Sequence, residues 1–335
     1  MPMFSIIVPI HGVEEWVDEC VGSILSQSFT DFELIAVDDC SPDNSIDILR
    51  SHAERDARLR IVSLERNVGS GLARNAGLDL ATGEYVWLID GDDWIEPGSL
   101  QAIADRVRAT DADVVTFGWE RQYANGRRTR GGHQHVYKSA PDTFALEQYP
   151  QLTLVVHFVW NKVVRRDLIE RHGYRFEAGQ YQDLDFTYFM LSAAEKIAVL
   201  DRVCLAYRQR DTNVTKTASD KHFAVFDHWE RTYSLLDQHG LSSPKVNSYL
   251  FARMIRHFNY IVNHPSRIPD ASRRRFVATA SAFYRRYRPD HLLRPPTILG
   301  RLRHALIALG AYPMIEAGRR IRQLRRSLRQ KPVAS

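Results

Sequence analysis

Between Phe4 and Ile89 strand-type and helix-type segments alternate, and that alternation limits the fold more than any other feature of the 335 residues. Phe4-Ser5-Ile6-Ile7-Val8 is a short apolar run of strand type, and the segment after it sets Val13, Val17, Cys20, Val21, Ile24 and Leu25 at helical spacing. The cycle repeats with 32–37 as strand, 46–53 as helix, 60–64 as strand, 72–80 as helix and 85–89 as strand. Such a series predicts an α/β fold: a Rossmann-like, mostly parallel sheet flanked by crossover helices. Residues 113–119 read as a further strand, and 123–135, rich in Gly, Arg and Asn, as a loop. Helical patterns dominate 183–287, and Arg294-Pro295-Pro296 punctuates the chain after them. The expected organisation is a main domain at 1–215, a helical C-terminal extension at 216–293 and a basic tail at 294–335.

Composition narrows the class. A 44% hydrophobic and 25% charged chain of this length is ordinary for a soluble protein with a sizeable core. Cys20, Cys40 and Cys204 are widely spaced without a C-x-x-C, which argues against a disulfide framework or thiolate zinc site and fits a reducing cytoplasm. The first ten residues lack a signal peptide's basic leader, and the apolar stretch 305–315 is about half of the roughly 20 residues that cross a bilayer. The net charge of +5 sits unevenly: from Arg301 onward it is +8, leaving about −3 for the rest.

The carboxylates carry the functional argument. Asp38 and Asp39 follow the second strand directly, and Asp90, Asp92 and Asp93 follow the fourth. In a parallel sheet both clusters face the edge where strand C-termini gather and ligands bind, and Pro9, ending the first strand, joins them. Five carboxylates together repel one another unless a positive charge sits among them. Oxygen ligands without a matching His or Cys set favour Mg²⁺ or Mn²⁺. Asp38-Asp39-Cys40-Ser41-Pro42-Asp43 equally suits a plain turn.

No G-x-x-x-x-G-K-[ST] occurs, and Gly69-Ser70-Gly71-Leu72-Ala73-Arg74 misses the third glycine of a dinucleotide fingerprint and follows the wrong strand. Phosphates on the acidic edge would then need a cation. Arg74, near a helix start, can add a charge-assisted bond to phosphate or be a surface arginine.

These residues resemble the inverting glycosyltransferases of family 2, which have the GT-A fold. The resemblance lies in Ser5-Ile6-Ile7-Val8-Pro9, Ser23-Ile24-Leu25-Ser26-Gln27-Ser28-Phe29, Glu33 to Asp43, Asn67-Val68-Gly69, Ala73-Arg74-Asn75-Ala76-Gly77 and Gly83 to Asp93. It implies that Pro9, Glu14, Asp38, Asp39, Arg74 and Asp90 contact the nucleotide, with Pro9 and Asp39 at a uracil-type base. Asp90 and Asp92 would form the D-x-D that holds ribose, diphosphate and metal. His11-Gly12 departs from the family's aromatic-Asn pair. Farther on, Val159 to Arg166 is similar to a segment of bacterial members that build surface polysaccharides, and Gln182-Asp183 is similar to a Glu-Asp pair whose Asp is the catalytic base. Tyr207-Arg208-Gln209-Arg210 resembles a late motif closing over the diphosphate.

The resemblance thus implies transfer of a sugar, from a nucleotide diphosphate donor of UDP type, to a carbohydrate or lipid-linked acceptor hydroxyl. Asp183 also suits a first-turn helix carboxylate, and Asp185 is secondary. Asp93, Trp94, Trp160, Gln182 and Arg208 are candidate acceptor or diphosphate contacts; flat aromatic faces suit sugar rings, and Tyr181 adds another, though each ring also suits a core. His157 and His172 have no ligand-spaced partner. In the tail, Leu302, Leu306, Leu309, Ile321, Leu324 and Leu328 lie among eight arginines, a pattern that can rest on an anionic membrane, be a solvated helix or meet a partner helix; nucleic acid is not expected. The expected location is cytoplasmic, peripheral to the membrane through that tail. A nucleotidyltransferase would want a basic glycine-rich loop where Pro9 to Glu15 has none, and a decayed binding or scaffold protein would not keep Asp39, Asp90, Asp92 and Asp183.

Overall fold

The structure is a computed structural model that describes residues 1–132, 134–155, 158–210, 218–264, 266–293 and 297–329, with side chains through 321. The chain divides into two compact units, Met1–Asp211 with Glu230–Ser242, and Thr212–Trp229 with Ser243–Ser335. The expected domain change at 215 and the Arg294-Pro295-Pro296 punctuation lie outside the described residues.

In the first unit, β1 (Phe4–Ile10), β2 (Phe32–Asp38), β3 (Leu59–Ser63) and β4 (Tyr85–Leu88) pair in parallel in the order β3-β2-β1-β4. All of β1 is buried, as expected of an apolar run covered on both faces. Between the strands run α1 (Val17–Leu25), α2 (Ser45–Ala53) and α3 (Ser70–Leu78). Helix α1 buries Val17, Cys20, Val21 and Ile24, four of the residues whose spacing marks it, and keeps Asp18 and Glu19 in its first turn.

Beyond Leu88 the sheet becomes mixed. Strand β5 (Trp94–Ile95), α4 (Ser99–Thr110), β6 (Val114–Tyr123), β7 (Arg128–Arg130) and α5 (Gln134–Lys138) come first. β8 (Lys162–Arg165), α6 (Arg166–Arg171), α7 (Gln182–Ala193) and β9 (Ile197–Gln209) complete this half. The sheet continues β4-β8-β6-β9-β5, with β8 antiparallel to β4 and β6, and β6 parallel to β9. Two local expectations change here. Much of the segment anticipated as a loop at 123–135 is a β6–β7 hairpin, its turn closed by Gly126 at φ 78°. Within the stretch anticipated as mainly helical, β9 is a 13-residue strand, whose apolar pattern is interrupted by Asp201 and Arg202 at a register shift against β6.

Helix α8 (Ala224–Gln238) is followed by α9 (Pro244–Asn263), α10 (Asp270–Tyr287), α11 (Ile298–Ala308) and α12 (Tyr312–Arg329). Phe226, Phe258, Phe276 and Phe283 pack ring against ring at the centre of the second unit. Among the described residues no helix is long and apolar enough to cross a membrane.

Candidate active site

The acidic segments meet around the C-terminal end of β1. Asp39 donates its backbone N–H to Ile10 O at 2.8 Å, and a Cβ on Gly91 would stand 2.8 Å from the Ile10 side chain and 3.1 Å from Pro9 O. Only glycine lets the Asp90-Gly91-Asp92 turn approach that strand so closely. The Asp39 carboxylate is 2% exposed and accepts from Val68 N at 2.7 Å and Gly69 N at 2.8 Å, just before α3. Asp38 accepts from Ser41 N at 3.0 Å, so its carboxylate shapes the turn. Glu14 binds Asn44 N at 2.9 Å and its own N–H meets Asp43, joining the loops after β1 and β2.

Arg74 ties two of these segments to a third. Presented by α3 and 3% exposed, it places Nη2 2.5 Å from Asp90 Oδ1 and Nη1 3.5 Å from Asp183 Oδ1. Burial opposes its charge, but Asp90 and then Asp183 hold it protonated. Asp183 is the second residue of α7, whose N-cap is Tyr181, a non-glycine residue at φ 70°, a conformation that costs on the order of 1–3 kcal/mol. Burial, and next the repulsion of Asp90, lift the Asp183 carboxyl above the usual range; Arg74, Lys162 and the Val159 amide pull the other way.

Asp92 and Asp93 are also raised, by burial first and by their neighbouring carboxylates second. Two arginines from the end of β9 answer them. Arg210 Nη2 lies 2.5 Å from Asp92 Oδ2. Arg208 gives its backbone N–H to Asp93 Oδ1 at 2.8 Å, its Nε to Asp92 O at 2.9 Å and its Nη2 to Glu19, while its guanidinium covers the Trp94 ring at 4.6 Å.

Several candidate contacts are relocated by burial. Asp93 is 0% exposed, with Oδ2 lacking a partner, and serves the loop from within, so the anticipated contact with acceptor or diphosphate does not fit it. Trp160 is 1% exposed and lies flat against Phe158, ring centroids 4.3 Å apart, so it packs as part of the core. Gln182 is buried and donates to Ser70 Oγ at 2.9 Å. Asp185 is wholly buried and receives Tyr174 OH at 3.1 Å and Arg231. His172 meets His239, Nδ1 to Nδ1 3.2 Å, and His157 lies outside the described residues.

Sequence reasoning missed Phe158 as part of this region, while Tyr207 and Lys162 stood in the 207–210 and 159–166 segments without a role of their own. Tyr207 stands against both Phe158 and Trp160, and after burial it is Asp93, Asp90 and Asp92 that raise its phenol. A signal was present for Lys162: a lone ammonium at the head of the apolar run Val163-Val164.

Among the described residues no group of three or more His, Cys, Asp or Glu is arranged to hold a metal ion. The oxygen-only donors nonetheless fit Mg²⁺ or Mn²⁺, because Mg²⁺ is commonly held by one or two carboxylates plus substrate phosphates, and the buried Asp93 Oδ2 next to Asp92 has no partner.

The family 2 glycosyl transferase model matches residues 5–173, the stretch that contains β1 to α6. This chain belongs to glycosyl transferase family 2. It is 33% identical over 235 residues to the uncharacterized glycosyltransferase EpsJ of Bacillus subtilis, covering 66% of this chain and 67% of that one. It is 28% identical over 242 residues to glycosyltransferase GlyG of Streptococcus pneumoniae, 66% and 76% of the two chains. In fold it is similar to S. aureus TarS residues 1–349 in complex with UDP-GlcNAc, with TM-score 0.75 at 22% identity over 97% of this chain and 91% of that chain. The architecture is therefore GT-A, and the chain is a glycosyltransferase of the family 2 type.

Proposed function

We propose that this enzyme transfers a hexosyl or N-acetylhexosaminyl group from a UDP-sugar to an acceptor hydroxyl with inversion. The observation that carries the reading is Arg74, a buried cation shared by the end of the sheet at Asp90 and by the helix start at Asp183. It joins the acidic loop of a nucleotide site to a carboxylate able to move a proton. The TarS complexes with UDP-GlcNAc and UDP support a uridine donor.

In the proposed reaction Asp183 accepts the proton of the acceptor hydroxyl, whose oxygen forms the bond to the anomeric carbon. The bond from that carbon to the diphosphate oxygen breaks, its electron pair leaves with UDP, and one displacement inverts the centre. Burial and Asp90 make Asp183 a stronger proton acceptor than an exposed carboxylate. Asp39 holds the Val68–Gly69 amides in line beside the base pocket, and Arg74 and Arg208 supply positive charge on the diphosphate side. A divalent cation, Mg²⁺ or Mn²⁺ on Asp90 and Asp92 of the D-x-D, supplies charge neutralisation for the departing diphosphate when bound. Phe158 and Tyr207 take the acceptor-side role assigned above to Trp160, while Trp94 under Arg208 stands on the diphosphate side.

A relative named as a putative teichuronic acid biosynthesis glycosyltransferase, 41% identical over 92 residues, supports a carbohydrate or lipid-linked acceptor of cell-surface polysaccharide, glycolipid or teichoic-acid type. With such an acceptor, peripheral contact of the C-terminal helices with the inner face of the cell membrane is part of the same reading. The test is UDP release from UDP-glucose, UDP-galactose and UDP-N-acetylglucosamine, with and without Mn²⁺ or Mg²⁺. Turnover of at least one donor that needs the cation and falls about 10²–10⁴-fold in Asp183→Asn is expected; cation-independent turnover, or full turnover by the variant, overturns the assignment.

A further inference from the structure

The Trp160-Asn161-Lys162 stretch carries one buried charge that the proposed reaction leaves unused. Lys162, at the head of β8, is 2% exposed, yet its ammonium is fully engaged: it donates to Phe158 O, to Asn161 Oδ1 at 2.8 Å and to Thr187 Oγ1 at 3.1 Å. An ammonium has three donors, and three acceptors stand around this one. Thr187 lies one helical turn after Asp183, so the two side chains project from the same side of α7. The Val159 amide, meanwhile, is among the groups that favour the ionised Asp183 carboxyl. The carbonyl of Phe158 and the N–H of Val159 belong to one peptide unit. That unit is held at its oxygen by Lys162, and Lys162 also holds Thr187 on α7.

We propose that Lys162 is a positioning residue for Asp183: by gripping Phe158 O and Thr187 Oγ1 it ties the Phe158–Val159 peptide to the first turns of α7 and so fixes where the carboxylate stands. The proposal rests on Asp183 acting as the base. A peptide unit with its carbonyl against a cation is polarised, which strengthens the bond its N–H makes. The same grip holds Phe158, whose ring stacks on Trp160.

The electrostatics agree with the geometry. Burial pushes the Lys162 ammonium down to about 7, and Asp183 is the one named charge opposing that fall. Facing Asp183 are Arg74 from α3, Asp90 after β4, Lys162 from β8 and Tyr174 before α7. Arg74 is shared with Asp90, whereas among the described residues Asp183 is the carboxylate that acts on Lys162. Removing the Lys162 charge therefore shifts Asp183 toward its neutral, inactive form.

Three variants test this, Lys162→Met, Lys162→Gln and Lys162→Arg, beside Asp183→Asn. Turnover is followed as UDP release from whichever of the three UDP-sugars is consumed, and carboxyl-¹³C aspartate spectra, assigned with Asp183→Asn, follow Asp183 directly. Expected for the Met and Gln variants are a kcat lowered about 10- to 100-fold, part of the roughly 10²–10⁴-fold that a general base is worth. Donor KM and calorimetric UDP affinity should stay within about twofold. The acid limb of the kcat profile and the Asp183 midpoint should both move to higher pH, and Lys162→Arg should hold both close to wild type. Should the Met variant not fold, the Gln variant, which keeps a donor for Phe158 O, carries the same comparison. Unchanged kcat and an unmoved Asp183 midpoint in a folded neutral variant overturn the proposal, as does an equal loss of UDP affinity. Full turnover by Asp183→Asn instead removes the base assignment, an outcome distinct from a failure at Lys162.

Discussion

Asp183 shows how a site residue is maintained against its own stability. Its carboxyl is raised by burial and by Asp90, so the folded protein prefers the protonated form more than the unfolded chain does. Such a group binds its proton more tightly when folded. Its contribution is favourable at pH values below the unfolded carboxylate range of about 3.9, and it is lost as pH rises toward the folded value. At neutral pH the ionised carboxylate is thus a burden, which Arg74, Lys162 and the Val159 amide offset in part. Asp183→Asn keeps the shape and sheds the charge. Thermal unfolding of both proteins should show the variant equal or more stable at pH 8, with the difference closing toward pH 5, while UDP release is lost. A variant less stable at pH 8 than at pH 5, relative to wild type, contradicts the account.

At the scale of elements, the site depends on how closely α3 and α7 approach. A Cβ on Gly71 would fall 1.6 Å from Gln182 Oε1 and 2.8 Å from the backbone oxygen of Glu177. The side-chain clash is relieved by rotating Gln182, but the backbone one is not. Gly71→Ala should therefore displace the start of α7, lowering stability by about 1–3 kcal/mol and turnover at least tenfold; denaturant unfolding and UDP release check it, and wild-type turnover would mean that α7 tolerates the shift. The Gly69-Ser70-Gly71 run, unconvincing as a dinucleotide fingerprint, is accounted for by this contact and by the Asp39 bond to Gly69. Elements up to Tyr85 were legible because each strand is a short apolar run and each helix has one apolar face. The β-strand at Ile197–Gln209 was not, because Asp201 and Arg202 break its alternation where it shifts register. Likewise the D-x-D could be seen in sequence, but its counter-charge from Arg210 needed the return of β9, more than 100 residues later. Trp160 and Asp93 were named from their neighbourhood; depth within a wall has no local signature.

For the whole molecule, the decisive asymmetry is charge: +8 from Arg301 onward against about −3 before it. The second unit adds an apolar complement. Ile298, Leu302, Ala305 and Leu309, at i, i+4, i+7 and i+11, are all exposed, the first and last at 82% and 78%, while Ile307 on the opposite side of α11 is buried. Solvent does not reward such a stripe, but the headgroup boundary of a bilayer does. Not every tail arginine is available. Arg319 is 6% exposed, folded onto Glu316 and Asp270, where it anchors α12. Sedimentation with vesicles containing phosphatidylglycerol should capture the protein, with phosphatidylcholine vesicles capturing far less and salt weakening the bound fraction. Replacing Ile298, Leu302 and Leu309 together by Ser should lower that binding at least tenfold, on the order of 1.4 kcal/mol or more from lost apolar insertion, while UDP release from a soluble donor is retained. Equal sedimentation of wild type and triple variant would show that α11 does not enter the lipid, and equal capture by neutral vesicles would show that the arginines do not select it.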